Sequence, residues 1–201
     1  MKNKSPVPVQ ETGSSSDTAS SINASSSDEA IHFFKKVRER LLDVNHWKET
    51  AALPLAEFNA CDRFGRKVNR SVHEGDHFRI SIPGPGNNEG NGDDWVKVEQ
   101  IEENYTKEKD QITITVRPCA NPVHPKDTAH FFTDEATSSF VVERKDKVIT
   151  ASVHGRNEKP NTDVDSVSDK IRNSMLATAA IGLFSKMQWK SLVNGLIKKE
   201  D

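Results

Sequence analysis

HFFTDEATSSFVVERKDKVITASVHGRNE, residues His130 to Glu158, is the stretch from which the fold of this 201-residue chain can be read. Two extended runs, Ser138 to Arg144 and Val148 to His154, flank a charged turn at Lys145-Asp146-Lys147. On the second run Val148, Thr150, Ser152 and His154 fall on one face, while Ile149, Ala151 and Val153 fall on the other. That period of two is what a half-buried strand requires, and a three-residue connection is an ordinary hairpin length. If the strand continues, alternation carries Arg156 and Glu158 onto the face of His154, with Ser152 and Thr150 behind them.

Upstream of the hairpin the chain also reads as β. Leu55 to Cys61 is a first strand and Val68 to Val72 a weaker one. In His77 to Ile82, Phe78, Ile80 and Ile82 alternate with polar neighbours. Pro83 to Asp94 carries four glycines and two prolines, so it is irregular. It matches no phosphate-binding glycine pattern, and Asp93 and Asp94 lack the spaced acidic partners of a calcium loop. Its length nevertheless makes it the best candidate for a functional loop. Trp95, Val96, Val98 and Ile101 restart the sheet, a charged turn runs from Glu102 to Asp110, and Ile112, Ile114 and Val116 oppose Thr113, Thr115 and Arg117. Pro118 and the prolines after it stop that strand.

Helices are expected at the two ends of this β region. Ser26-Ser27-Asp28-Glu29 has the form of a capping box, and Ile31, Phe34, Val37 and Leu41 make a stripe behind it. Asn45 is placed to cap a shorter helix through Trp47, a core anchor, ending before Pro54. After a linker with Pro160, a long helical segment begins near Asp163 or Asp165. It kinks around Gly182 and Ser185 and ends on Trp189, Leu192, Val193, Leu196 and Ile197. Residues 1–27, rich in Ser and Thr, form a disordered tail, because such a composition buries too little to offset its ordering entropy. Residues 28–201 then form a single α+β domain. Its fold is a curved antiparallel sheet or partly open barrel of about six or seven strands, covered by an N-terminal helix and a long, kinked C-terminal helical segment.

Composition excludes several function classes. The 28 basic and 30 acidic residues are interspersed, for a net charge of -2, so nothing global draws nucleic acid. No apolar run approaches the ~20 residues of a membrane span. The start, MKNKSPVPVQETGSSS, lacks a secretory core, so a soluble cytoplasmic protein with Cys61 and Cys119 as free thiols is expected. His73, Asp76 and His77 are metal-ligand types in a turn, where a local hydrogen-bonding cluster is the simpler reading. No metal or cofactor is expected.

Three functional readings remain. The first is a small hydrophobic or amphipathic ligand held between the sheet and the C-terminal helix. His154 and Arg156, with Ser152, would meet its polar end, and Trp95, Phe140, Phe184 and Trp189 would line its apolar one. The second is a structural or interaction module that forms a homodimer through the C-terminal helix, with Trp189, Leu192 and Leu196 exposed in the monomer. The third is a small hydrolase or isomerase-like enzyme, with His154, Glu158 and Asp134 as catalytic proton-transfer groups.

Overall fold

A computed structural model of the chain describes residues 5–53, 55–81, 93–123, 132–159 and 185–199. In chain order its elements are β1 (Ser14–Asn23), α1 (Ser27–Leu42), a 3-10 turn (Val44–His46), α2 (Trp47–Thr50), β2 (Glu57–Cys61) and β3 (His77–Ser81). They continue with β4 (Asp93–Tyr105), β5 (Lys109–Pro118), β6 (Thr137–Lys145) and β7 (Val148–Glu158). A last helix, α3, covers residues 185–196. Strands β1 to β7 make one antiparallel sheet in the order β1-β7-β6-β5-β4-β3-β2, which does not close into a barrel. The α+β architecture expected from the sequence is the observed one.

Helix α1 starts where its sequence says. The Ser26 hydroxyl accepts from the Glu29 amide at 3.1 Å, and the Glu29 carboxylate accepts in return from the Ser25 amide at 2.7 Å. Such a cap stabilises the helix by ~1 kcal/mol. Its buried residues, among them Phe34, Val37 and Leu41, join those of α3, Leu192, Val193 and Leu196, on one face of the sheet. There they meet Phe58, Phe78, Val98, Ile112, Phe140, Val142, Ile149, Ala151 and Val153, which alternate along β2 to β7. Both helices therefore lie on the same side of the sheet, in the hollow of one core.

Trp47 is the anchor of that core. It is fully buried, its indole N–H donates to the carbonyls of Arg40 and Leu41, and its rings pack edgewise or tilted on Phe58, Phe78 and Phe140. Asn45 does not cap a helix. Its Oδ1 accepts from the Ala60 amide at 3.0 Å and its Nδ2 donates to the Val68 carbonyl at 2.8 Å, so it ties the 3-10 turn to β2. Gly195 lets α3 come close: a side chain there would collide with the Thr50 carbonyl at the end of α2.

Several expectations are corrected. Ser14–Asn23, assigned from composition to a disordered tail, is the edge strand β1, paired along β7 from Ser16↔Gly155 to Asn23↔Val148. The sheet thus begins well before residue 28. Val68 to Val72 is no strand; near it there is a single bridge, Cys61↔Lys67. The β6–β7 turn is two residues long, since Lys145 pairs with Val148, and Asp146 takes the left-handed conformation (φ 55°) that a tight reversal requires. Strand β4 runs through Tyr105, which shortens the charged turn to residues 106–108. Cys61 and Cys119 are free thiols. The long helical segment expected between Asp163 and Phe184, and residues 83–92 of the glycine-rich loop, lie outside the described residues. Among the described residues no helix is long and apolar enough to cross a membrane.

Candidate functional site

The parity of β7 decides which side each polar candidate serves. Ile149, Ala151 and Val153 point into the core, so Ser152, His154 and Arg156 stand on the opposite face, away from the helices. There they form a chain of contacts. The His154 Nε2 lies 2.9 Å from the Ser152 Oγ, and its Nδ1 lies 2.5 Å from an Asp17 carboxylate oxygen supplied by β1. Arg156 donates to the same Asp17 oxygen at 2.8 Å and to the carbonyls of Ser16 and Gly155. Partial burial pushes the Asp17 carboxyl up, but the hydrogen bonds and charges of His154 and Arg156 outweigh it and hold the group below its ordinary range.

Carboxylate, imidazole and hydroxyl follow one another here in the order of a nucleophilic relay. Among the described residues, the backbone around Ser152 does not provide the setting of such a relay. Ser152 is in mid-strand, paired with Ala19 on one side and Val141 on the other. Its β7 neighbours are likewise paired with β1 and β6, so the main-chain N–H groups of this stretch are committed to the sheet and do not form an oxyanion hole.

Glu158 does not share the face of His154. Asn157 adopts φ 56°, and this left-handed residue breaks the alternation that the sequence implied. The Glu158 side chain folds back over Gly155 on the core side, where its Oε1 accepts from the Ser16 hydroxyl at 3.2 Å. Asn157 is itself fastened. Its Oδ1 accepts from the Glu11 and Thr12 amides at 2.8 and 3.1 Å. Asp134 is also separate: it is exposed in the turn before β6, and its carbonyl accepts from Arg117 at 2.7 Å. The three expected catalytic groups are therefore not brought together.

On the core side, between the far end of the sheet and α3, there is a cavity of about 110 Å³. Its walls are largely apolar, with Ala56, Phe58, Val96, Val116, Ala136 and Trp189 among them. Of the expected lining residues, Trp189 is placed there. Trp95 borders it while turning its ring toward His77, with centroids 6.5 Å apart. Phe140 belongs to the solid core, buried between Trp47 and Trp189 at centroid distances of 4.8 and 5.2 Å. His154, Arg156 and Ser152 are not among the residues that border the cavity, and Phe184 lies outside the described residues.

The polar groups at the cavity are others. Asp94 at the start of β4 borders it, and burial, with the charge of Asp93 adding to it, pushes its carboxyl up to about 7. Glu158 also borders it, and burial raises its carboxyl despite the Ser16 hydrogen bond. Gln188 of α3 is almost fully buried; its Oε1 accepts from the Leu55 and Ala56 amides at 2.9 and 3.0 Å. That fixes which way the amide faces, and its Nε2 is left buried and without a hydrogen-bond partner. The Thr137 hydroxyl, at the same cavity, is likewise buried and unpartnered.

Gln188 carried a signal in the sequence. It falls on the stripe of Leu192 and Leu196, at i, i+4 and i+8, where a polar residue must face the interior. The His73 region resolves as a local cluster. Asp76 takes a two-pronged ion pair from Arg70 at 2.6 and 3.0 Å and the His73 amide at 2.8 Å. Among the described residues no group of His, Cys, Asp and Glu is arranged to hold a metal ion.

The apolar face of α3 is spent within the chain. Leu192 and Leu196 are buried and Trp189 packs on Phe58 and Phe140, so the exposure that a dimer through this face required is absent.

No family model matches the chain, and no curated protein matches it. Among solved structures it is similar to a hypothetical protein from Helicobacter pylori, with 14% identity over 92% of this chain and 87% of that one and a TM-score of 0.49. It is similar to a putative uncharacterized protein from Bacillus thuringiensis, with 14% identity over 91% and 100% of the two chains and a TM-score of 0.42. A protein of unknown function from Staphylococcus aureus gives 12% identity, coverage of 91% and 94%, and a TM-score of 0.36. Likenesses this distant carry no statement about activity.

Proposed function

We propose that the protein binds a small, mainly apolar molecule in the cavity between the sheet and α3. The observation that supports this reading is the buried, oriented and unpartnered Nε2 of Gln188 at a largely apolar hollow. A buried donor left unpaired costs ~1–3 kcal/mol, and a ligand that supplies an acceptor recovers that cost. The size of the hollow suits a compact ligand. An apolar cavity of ~150 Å³ takes up benzene, so at 110 Å³, in a hollow partly open to solvent, a single ring is the upper limit and its substituent would sit at the opening. The apolar end would lie against Val96, Val116 and Trp189, which differs from the grouping expected from sequence by leaving out His154, Ser152, Arg156 and Phe140.

Calorimetric titration with toluene tests this. Saturable binding by the native protein is expected. Ala136→Leu, which fills the hollow with a larger apolar side chain, should abolish that binding while unfolding stays cooperative. Absence of binding to the native protein, or equal binding by the variant, would contradict the proposal. Ala56→Leu provides a second filling variant should the first not fold.

A further inference from the structure

The charge of the cavity wall restricts what can enter it. We propose that the site selects neutral or cationic ligands with a hydrogen-bonding head group, a ring bearing an alcohol or an amine, and rejects carboxylates; this rests on the binding reading above. Two acids, Asp94 and Glu158, border the cavity, and among the described residues that border it none is Lys, Arg or His. Of the cations near these acids, Lys159, next to Glu158, pairs with Glu135 at 3.0 Å. Arg156 is held on the far face of β7 by Asp17 and main-chain carbonyls, and Arg79 faces Asp93 at 3.6 Å.

Among the described residues an anionic head group would thus meet two acids and no counter-charge at the cavity wall, and like charges brought together in a desolvated site cost several kcal/mol. Burial already makes both acids reluctant to ionise, with the Asp94 carboxyl raised to about 7. An ammonium group would relieve that cost and a carboxylate would deepen it. The fixed Gln188 amide adds a separate preference, since Nε2 can only donate: an alcohol oxygen can accept from it, whereas an ammonium cannot and would be held by the acids alone. An alcohol satisfies both demands at once: its oxygen accepts from Gln188 and its hydrogen can be given to Asp94 or Glu158.

Three ligands of the same skeleton and different charge separate the possibilities: benzyl alcohol, benzylamine and benzoate, titrated into the native protein near pH 8. The alcohol and the amine should bind, with benzoate weaker by about tenfold or more. In Asp94→Asn/Glu158→Gln that gap should close, and benzylamine should lose about tenfold. Each single variant gives the same test if the double variant does not fold. Benzoate binding as tightly as benzyl alcohol would overturn the inference and leave the binding reading standing. If toluene binds but the ranking of the three is the same in native and variant proteins, the assignment to these two acids is overturned. If toluene and all three fail to bind, the cavity reading itself falls, and this inference with it.

Discussion

Arg144 and Asp110 are almost fully buried, and the Arg144 Nε donates to the Asp110 carboxylate at 2.7 Å. The rest of the guanidinium reaches the carbonyls of Glu108 and Asp146, so one side chain fastens the β4–β5 turn to the β6–β7 turn. Removing one partner of such a pair leaves a buried charge unmatched. Arg144→Ala should therefore cost ~3–5 kcal/mol, measurable as a lower midpoint in chemical unfolding; a change under ~1 kcal/mol would show the pair to be solvated in solution. Neither role was legible in the sequence, where Arg144 is one more charge in a hairpin. Asn157 teaches the same lesson at the site. Alternation assigned His154, Arg156 and Glu158 to one face, but a single left-handed residue sends Glu158 to the other. Periodicity presumes a regular backbone, and an Asn whose side chain is held by two amides of a distant segment can abandon it.

Among the elements, β1 was the least legible and the β6–β7 hairpin the most. The hairpin announces itself because its apolar residues alternate and its core face is buried throughout. Strand β1 has only Ile22 to bury as a large apolar side chain; the rest of its core-side positions are Ser16, Thr18 and Ser20. What orders it is the main-chain ladder on the open edge of β7, aided by the Asp17 contacts to His154 and Arg156. Composition rules do not see such a partner, which is supplied by residues more than a hundred positions away. Amide hydrogen exchange checks the element directly. Alternate amides within Ser14–Asn23 should be protected, since an edge strand pairs on one side only. Exchange at the unprotected rate across the whole segment would return it to the tail that its composition suggested.

For the whole molecule, one face of the sheet packs on α1 and α3 and leaves a hollow, and the polar groups on its two sides differ: ion pairs on the outer face, and at the hollow an amide and two acids with no cation among the described lining residues. The two sides respond oppositely to pH. Asp94 ionises near 3.8 in an unfolded chain and near 7 when folded, so between those values the folded state holds the extra proton. Its contribution to stability is therefore full below about pH 4, falls as pH rises to 7, and is flat beyond, a loss of about 2–4 kcal/mol. Asp94→Asn should remove that fall and raise the unfolding temperature at pH 8; an unchanged pH profile would place Asp94 in solvent.

The general form of the fold, helices on one side of an antiparallel sheet, was readable from alternation and capping. A hollow between the sheet and the last helix was also expected, but its lining was not readable, because which core positions fail to touch is something no sequence period encodes. Its occupancy is the central claim. Methyl-resolved NMR during titration with benzyl alcohol tests it most directly. The account predicts that Ala56, Val96, Val116 and Ala136 shift along one saturation curve, while Val142 and Ile149 in the solid core stay in place. Unmoved cavity methyls at saturating ligand, or shifts spread evenly through the core, would contradict it.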